Sequence, residues 1–533
     1  MTRGEAVAAC LGAGALLLAW TQVRRYERTF TQAEIVLEAD GCRIPATRVE
    51  PPGAPDTHGA RAPLGAYLVL HGLAANRKLM MPVGVSLAEP GFPAYVVDLP
   101  GNGDNAEPFT FSRAERCAVA AARAVLQREG IGEKQLVLVG HSLGGAIAVR
   151  LSESFPDAGA TVALSPAPEV LPPWFPRAFL TYPPAARVPG NLLILVAQLD
   201  LPFSQRSAAG IVERASRAGQ PHGDGDARLV IVPRSSHTSV MFEHPAWLQI
   251  QSWLRRVQPG VSASAAAPNL AHVWIGLLGL VLVSPLVAGA LAALLRCAPE
   301  NHARVTAAQK RKRNWLRWSA AGFTAAVVLW LVSFILPAWL SNRTYFPLFL
   351  MVTGTLLWSE TKLTTGAGPT TRSQLAASAP WRDILLGVAF ALFVVLAFGW
   401  WLDRTIYDAW LNAPRWLRFA PLAAAAIPAA LAEELMLEAP TRAGDPARWT
   451  TELRRHFNYF ARRLLLWGAM LAGIFALGSG QILLLLAGVY MTAFTIGQRL
   501  AVDAVWRRTN SLAAAVAASA ILAAWFLALF PLT

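Results

Sequence analysis

Between about residues 33 and 257, short apolar runs alternate with stretches of helical periodicity. The runs are continuously apolar, as is typical of strands buried on both faces of a sheet. They cover 66–71, 94–98, 135–140, 161–166, 192–200 and 228–233. Helical stretches such as 112–129 and 146–155 lie between them. Strands that alternate with helices require crossover connections, so the pattern predicts an α/β domain with a mostly parallel sheet and helices on both faces.

Two further strands precede this pattern. Residues 33–40 and 42–50 flank Asp40-Gly41. Asp-Gly between two such segments is a strong hairpin signal, because both turn residues must adopt positive φ.

Long apolar runs at both ends predict membrane segments. Residues 6–22 lie between Arg3 and an Arg-rich segment, and no small-x-small cleavage site closes the run, which favours an uncleaved anchor over a signal peptide. After the Pro- and Ser-containing stretch 257–269, eight apolar runs follow, a count accurate to one or two: 273–295, 317–340, 345–358, 382–402, 419–437, 464–478, 480–498 and 511–530. The predicted organisation is an anchor over 1–28, the α/β domain over 29–258, a linker over 259–272 and an all-α multi-span region over 273–533.

Composition agrees with a chain that lies partly in lipid. Hydrophobic residues make up 54% of the 533 residues and charged residues only 15%. The net charge of +14 comes mainly from short loops between apolar runs, so membrane lipids are a better expected partner than nucleic acid. The four cysteines show neither the spacing of a metal knuckle nor that of a disulfide scaffold.

The loop charges also predict an orientation. The loops 296–317, 438–463 and 499–508 are rich in Arg and Lys, and counting spans places all three on the same side. The positive-inside rule makes that side cytoplasmic, so the α/β domain is expected on the non-cytoplasmic side. Arg24, Arg25 and Arg28 oppose this orientation, because they follow the first helix at its outer end.

Gly140-His141-Ser142-Leu143-Gly144 places a G-x-S-x-G motif directly after one predicted strand and before a helix. In that context the motif is a nucleophile elbow, in which glycines at 140 and 144 permit a sharp turn and the serine hydroxyl stands at the sheet edge. Ser142 is therefore the candidate nucleophile. The alternative is a glycine-rich packing turn.

A serine nucleophile needs a base, and the base needs an orienting carboxylate. Asp200 ends the strand 192–200, and His237 follows the last strand after a three-residue loop. Parallel strands end at one sheet edge, so we expect these side chains to meet Ser142 there. His244 is the alternative base.

His71-Gly72-Leu73 follows the strand 66–71. Gly72 permits the backbone to turn close to the nucleophile, and the Leu73 and Leu143 N–H groups are the expected oxyanion donors. His71 is more readily interpreted as a structural hydrogen-bonding residue than as a second base.

The motifs HGLAANR, VVDLPGNGDN and GHSLGG, with Asp200 and His237 in that order, resemble the α/β-hydrolase superfamily over about residues 33–257, close to its esterase, monoacylglycerol-lipase and serine-aminopeptidase branches. The resemblance implies serine-dependent hydrolysis of an ester, thioester or amide, without a cofactor. Asn102 and Asn105 depart from the family's D-x-P-G-x-G-x-S loop, which puts substrate preference in doubt. The aromatic segment 172–184 is either an acyl-binding lip or a packed connection.

Part of the membrane region is similar to the CAAX-processing and bacteriocin-processing intramembrane endopeptidases, through AEELMLEAPTR at 432–442 and the segment 507–525. Glu438 stands where that motif has Arg, and the only histidine after Glu433 is His456. No H-E-x-x-H or C-x-x-C motif indicates a metal site.

Two functions of different class remain open at this point. The first is a membrane-bound serine hydrolase, most readily a carboxylic-ester hydrolase acting on a small or lipid-like acyl substrate. The second is a transporter or sensor whose hydrolase-like domain binds a ligand without turnover. Because every predicted catalytic residue falls within 33–257, we expect residues 29–258 to be active alone. The oligomeric state is not predicted.

Overall fold

The computed structural model describes ten segments of the chain. They are 3–53, 63–170, 184–219, 226–262, 266–297, 314–335, 342–365, 381–434, 449–476 and 482–529. Contacts divide the chain into two compact units. The sheet unit comprises Leu18–Ile275 together with Leu402–Asp408, and the helical unit comprises Met1–Leu17, Gly276–Trp401 and Ala409–Thr533.

The sheet unit is built on one eight-stranded sheet with the order β1-β2-β4-β3-β5-β6-β7-β8. Its strands are β1 Thr31–Ala39, β2 Cys42–Glu50, β3 Ala66–Leu70, β4 Ala94–Val97, β5 Leu136–His141, β6 Ala160–Leu164, β7 Leu192–Ala197 and β8 Ala227–Val232. The first two pairings are antiparallel, and the strands from β4 to β8 pair in parallel. The predicted mostly parallel α/β sheet is confirmed.

The predicted hairpin has its turn at Asp40-Gly41, with φ of 50° and 74°. Positive φ at both turn residues matches the right-handed twist of the flanking strands. β2 then pairs with β4 and joins the hairpin to the parallel part of the sheet.

Helices cover both faces of the sheet. They are α2 Arg77–Leu87, α3 Phe111–Glu129, α4 Leu143–Arg150, α5 Pro202–Gly219 and α6 His244–Val257. Successive residues of a strand point to opposite faces, so each central strand contributes to two apolar layers. Leu68 and Leu70 pack in one layer with residues of α3 and α4, whereas Tyr67 and Val69 pack in the other with residues of α2 and α6.

A disulfide joins Cys42 of β2 to Cys117 of α3, with 5.5 Å between their Cα atoms. Both residues are buried in the core. The cysteine spacing did not predict this bond, because its two ends are 75 residues apart and are brought together only by the packing of α3 on the sheet.

The rest of the described chain is helical. Its elements are α1 Arg3–Glu27, α7 Ala271–Leu295, α8 Asn314–Ile335, α9 Asn342–Thr365, α10 Trp381–Thr405, α11 Ala413–Glu433, α12 Trp449–Ala476, α13 Ile482–Thr509 and α14 Leu512–Leu529. Among these described helices, α1, α7, α10 and α14 are long and apolar enough to cross a membrane. How many of the eight predicted runs span a bilayer stays a prediction.

Glu433 and Glu434, the acidic residues of the segment AEELMLEAPTR, lie at the end of α11 and form ion pairs inside the helical unit. Glu433 accepts hydrogen bonds from Arg463 of α12, and Glu434 accepts one from Arg499 of α13 at 2.6 Å. All four side chains are buried. Arg499 also pairs with Asp503 of its own helix at 2.6 Å, so these buried ions have partners of opposite charge. Glu438 lies outside the described residues.

Candidate active site

Ser142 lies at a sharp turn between β5 and α4. Its φ of 52° and ψ of −115° fall outside the ordinary regions for a residue other than glycine. The turn is held from both sides, because the Ser142 N–H donates to Leu164 O at 2.9 Å and the Ser142 carbonyl accepts from Ala167 N–H at 2.9 Å. The backbone is therefore fixed in the strained form of a nucleophile elbow.

The glycines of the motif are required by close packing of backbone on backbone. A Cβ at Gly144 would lie within 3.0 Å of the carbonyl oxygens of Leu70 and His71, and a Cβ at Gly140 would lie equally close to the Gly144 carbonyl. At Gly72 a Cβ would lie 3.0 Å from Cβ of Ser142. The loop after β3 thus runs directly beside the elbow.

The structure brings Asp200 and His237 together at the ends of β7 and β8. His237 Nδ1 donates to Asp200 Oδ1 at 2.8 Å. The two loops are also joined through their backbones, because Leu199 N–H donates to Ser235 O at 3.0 Å. Asp200 is buried, whereas the His237 side chain is 42% exposed. His244, the alternative base, is an exposed residue at the start of α6.

The charge state of Asp200 follows from its surroundings. Burial alone would raise the pKa of this carboxyl, but the hydrogen bond and the charge of His237 hold the pKa below its ordinary value. The Ser165 hydroxyl, at the end of β6, contributes in the same direction to the pKa of Asp200. Asp200 is therefore an anion at neutral pH and holds the proton of the imidazole on Nδ1, which leaves Nε2 as the basic nitrogen.

His141, next to the candidate nucleophile Ser142, contacts the backbone of His237. Its Nε2 lies 2.8 Å from the His237 carbonyl oxygen, and since a carbonyl only accepts, Nε2 carries the proton. Burial lowers the pKa of His141 to about 3, so the ring is neutral. The sequence analysis assigned His141 only to the motif, because nothing local shows a contact across 96 residues.

His71 orients the loop that carries Leu73. Its Nδ1 donates to Gly72 O at 2.7 Å, and its Nε2 accepts from Leu99 N–H at 2.9 Å. Burial lowers the pKa of His71 to about 4, so this ring is also neutral. With both nitrogens engaged, His71 has no nitrogen left to act as a base.

The two expected oxyanion donors flank the elbow. Leu143 is the first residue of α4, so its N–H has no acceptor within the helix. Leu73 follows Gly72, which packs against Ser142. The positions of Leu73 and Leu143 suit N–H groups that converge beside the serine hydroxyl.

Asn102 and Asn105, the departures from the family loop, hold the backbone of that loop. Asn105 Nδ2 donates to Asp98 O, and Asn102 Nδ2 donates to Pro100 O, both at 2.9 Å. Burial raises the pKa of Asp98 to about 6, against the opposing charge of Arg77, whose guanidinium lies 2.8 Å away. Both asparagines are buried and fix the loop internally. The aromatic segment 172–184, apart from its last residue, lies outside the described residues, so both interpretations of it stay predictions.

Residues 67–214 match the sequence profile of the alpha/beta hydrolase family. No curated protein matches the chain significantly in sequence.

Three solved structures similar to this chain come from different organisms. A dienelactone hydrolase from Anabaena variabilis is 20% identical, with a TM-score of 0.32, and the match covers 43% of this chain and 99% of that one. A serine hydrolase without a lid from Xanthomonas campestris is 16% identical, with a TM-score of 0.32 and coverage of 43% and 96%. An esterase from Pyrococcus furiosus is 15% identical, with a TM-score of 0.35 and coverage of 44% and 95%.

The family match covers the strands and helices that carry the elbow, the loop after β3 and Asp200. The sheet order and the position of the elbow belong to the same fold. The chain therefore contains an alpha/beta hydrolase domain, joined to a helical region with several apolar helices.

Proposed function

We propose that this protein is a membrane-bound serine hydrolase that cleaves an ester, thioester or amide through an acyl-Ser142 intermediate. The observation that carries the proposal is the placement of the Asp200–His237 pair, hydrogen-bonded at 2.8 Å, at the same sheet edge as the strained Ser142 elbow. Nucleophile, base and orienting acid occur in the chain order of this fold.

In the proposed reaction, Ser142 Oγ attacks the acyl carbonyl carbon while His237 Nε2 takes the hydroxyl proton. The N–H groups of Leu73 and Leu143 stabilise the negative oxygen of the tetrahedral intermediate. As the intermediate collapses, His237 returns the proton to the leaving alcohol, thiol or amine. Water then attacks the acyl-serine ester while His237 takes its proton. As this second intermediate collapses, His237 returns the proton to Ser142 Oγ, and the carboxylic acid is released. Asp200 stabilises the imidazolium in both halves and does not itself take the proton.

The triad is tested by ester hydrolysis with the full-length protein in detergent. Ser142→Ala should abolish hydrolysis of p-nitrophenyl butyrate, and His237→Ala should lower kcat by about 10³-fold or more. His244→Ala is the matched control and should retain the activity of the wild type. If His244→Ala loses activity and His237→Ala does not, the base has been assigned wrongly.

We further propose that the hydrolase domain lies on the non-cytoplasmic side of the membrane. The Arg- and Lys-rich segments between apolar runs support this orientation. Two of them differ from the predicted loops, because 449–463 belongs to α12 and 499–508 belongs to α13. The Cys42–Cys117 disulfide supports it independently, because disulfides persist in oxidising compartments outside the cytoplasm.

The orientation is tested with a reporter that fluoresces only in the cytoplasm, fused after Gln258. Cells should stay dark, while the same reporter placed in the predicted 296–317 loop should fluoresce. A bright signal after Gln258 would reverse the topology.

A further inference from the structure

A segment from the far end of α10 packs on the hydrolase domain. Residues 402–408 belong to the sheet unit, although they follow the domain by more than a hundred residues. Asp403 Oδ1 lies 2.7 Å from Lys78 Nζ on α2, and Arg404 pairs with Glu27 of α1. Two charge pairs thus attach this segment to the unit that carries the active site.

The same segment reaches the loop that carries the proposed oxyanion donor. Tyr407 Oη donates to the carbonyl oxygen of Ala74 at 3.1 Å. Ala74 is buried and has a φ of 60°, which is unfavourable for a residue with a Cβ. A conformation of this kind persists only where the surroundings hold it. The Tyr407 hydroxyl is one of the groups that hold it.

Planar peptide groups connect this contact to Leu73. The Ala74 carbonyl and the Ala75 N–H belong to one trans peptide, so they point in opposite directions. While the carbonyl accepts from Tyr407, the Ala75 N–H donates to Gly72 O at 3.2 Å. Gly72 O in turn belongs to the same peptide as the Leu73 N–H. The C=O and N–H of one trans peptide point in opposite directions, so fixing the direction of the Gly72 carbonyl also fixes that of the Leu73 N–H.

His71 acts on the same carbonyl. Gly72 O accepts from His71 Nδ1 at 2.7 Å as well as from Ala75 N–H. Two hydrogen-bond donors, His71 Nδ1 and the Ala75 N–H, therefore restrain the plane of the Gly72–Leu73 peptide. His71 comes from the hydrolase domain itself, whereas the Ala75 donor is oriented through a peptide that Tyr407 binds.

We propose that Tyr407 is a positioning residue for the oxyanion hole, acting through the Ala74–Ala75 peptide on the Leu73 N–H. This inference rests on the proposed serine-hydrolase function. It assigns a part in catalysis to a segment of the sheet unit that follows α10 in the chain. An oxyanion hole works by donors that are oriented before the charge develops, so loss of orientation lowers the rate without weakening substrate binding.

The test uses the full-length protein and the variant Tyr407→Phe, which removes only the hydroxyl. We expect kcat for p-nitrophenyl butyrate to fall roughly 3- to 10-fold, the effect of one ordinary hydrogen bond, while KM stays within about twofold. The inhibition constant of a trifluoromethyl ketone, which forms a tetrahedral oxyanion on the serine, should rise by a similar factor. Asp403→Asn, which weakens the attachment to Lys78, should change kcat and the inhibition constant in the same direction by a smaller factor.

Tyr26→Phe is the matched control. Tyr26 also belongs to the sheet unit, and its buried Oη has no hydrogen-bond partner among the described residues. Its loss should leave kcat and inhibition unchanged.

Three results would overturn the proposal. If the wild type is active and Tyr407→Phe has the same kcat, Tyr407 has no positioning role, and the proposed function is unaffected. A lower kcat with unchanged inhibition by the ketone would show a structural role only. A folded wild type that neither hydrolyses esters nor reacts with serine probes would remove both proposals.

Discussion

At the scale of single residues, the candidate site lies where strained backbone residues follow the strands. Ala74, Ser142, Ser165 and Arg234 all have positive φ and follow β3, β5, β6 and β8. Residues held in such conformations cost of order 1–3 kcal/mol each and cluster at functional sites. Their positions show that the ends of the parallel strands carry the strain together with the candidate chemistry.

The glycines around Ser142 allow a direct test of this packing. We expect Gly144→Ala to lower the free energy of unfolding by about 1–3 kcal/mol or more and to abolish ester hydrolysis. The reason is that its Cβ would clash with the carbonyl oxygens of Leu70 and His71. Gly210→Ala in α5 is the control, because a Cβ there meets nothing within 4 Å. It should stabilise the protein by up to about 1 kcal/mol through helix propensity. Thermal unfolding and activity of both variants check this, and a tolerated Gly144→Ala would contradict the packing argument.

At this scale the sequence predicts candidate residues only where the signal is local. Ser142 is marked by its own neighbours, and Asp200 and His237 by the strands that they follow. The contact of His141 with the His237 carbonyl spans 96 residues, and that of Tyr407 with Ala74 spans 333. Neither pair carries a local pattern, so only the folded chain shows them.

At the scale of elements, the strands were predictable because central strands of a parallel sheet are apolar on both faces. The start of α4 was placed too late, at 146 instead of Leu143, because Gly144 and Gly145 are poor helix formers. Here the close packing of Gly144 on the carbonyls of Leu70 and His71 outweighs helix propensity. The Cys42–Cys117 bond was missed because it joins a strand to a helix that is distant in sequence.

The contribution of this disulfide to stability can be tested by mutation. The double variant Cys42→Ala, Cys117→Ala should lower the free energy of unfolding by about 2–4 kcal/mol, since the bond closes a long loop in the unfolded chain. The comparison is thermal unfolding with and without reductant. Reductant should destabilise the wild type and leave the double variant unchanged. Equal stability of the two proteins under oxidising conditions would mean that the bond does not form.

At the scale of the whole molecule, order along the chain does not coincide with order in space. Residues 402–408 follow α7, α8 and α9 along the chain, yet they belong to the sheet unit. Residues 29–258 contain the candidate triad and both oxyanion donors, so the sequence predicts activity without the rest. With Tyr407 absent, we expect that truncated chain to hydrolyse short esters more slowly than the full-length protein, by about the factor found for Tyr407→Phe.

The central claim, that Ser142 is an activated nucleophile, is tested most directly by a fluorophosphonate probe applied to the full-length protein in membranes. Mass spectrometry of the digested protein should find the phosphonyl adduct on Ser142, and no adduct should form in Ser142→Ala. Labelling of His237→Ala should be slower by about 10³-fold or more, because the hydroxyl then lacks its base. Absence of labelling in the folded wild type, or equal labelling of Ser142→Ala, would contradict the account and leave a ligand-binding domain without turnover.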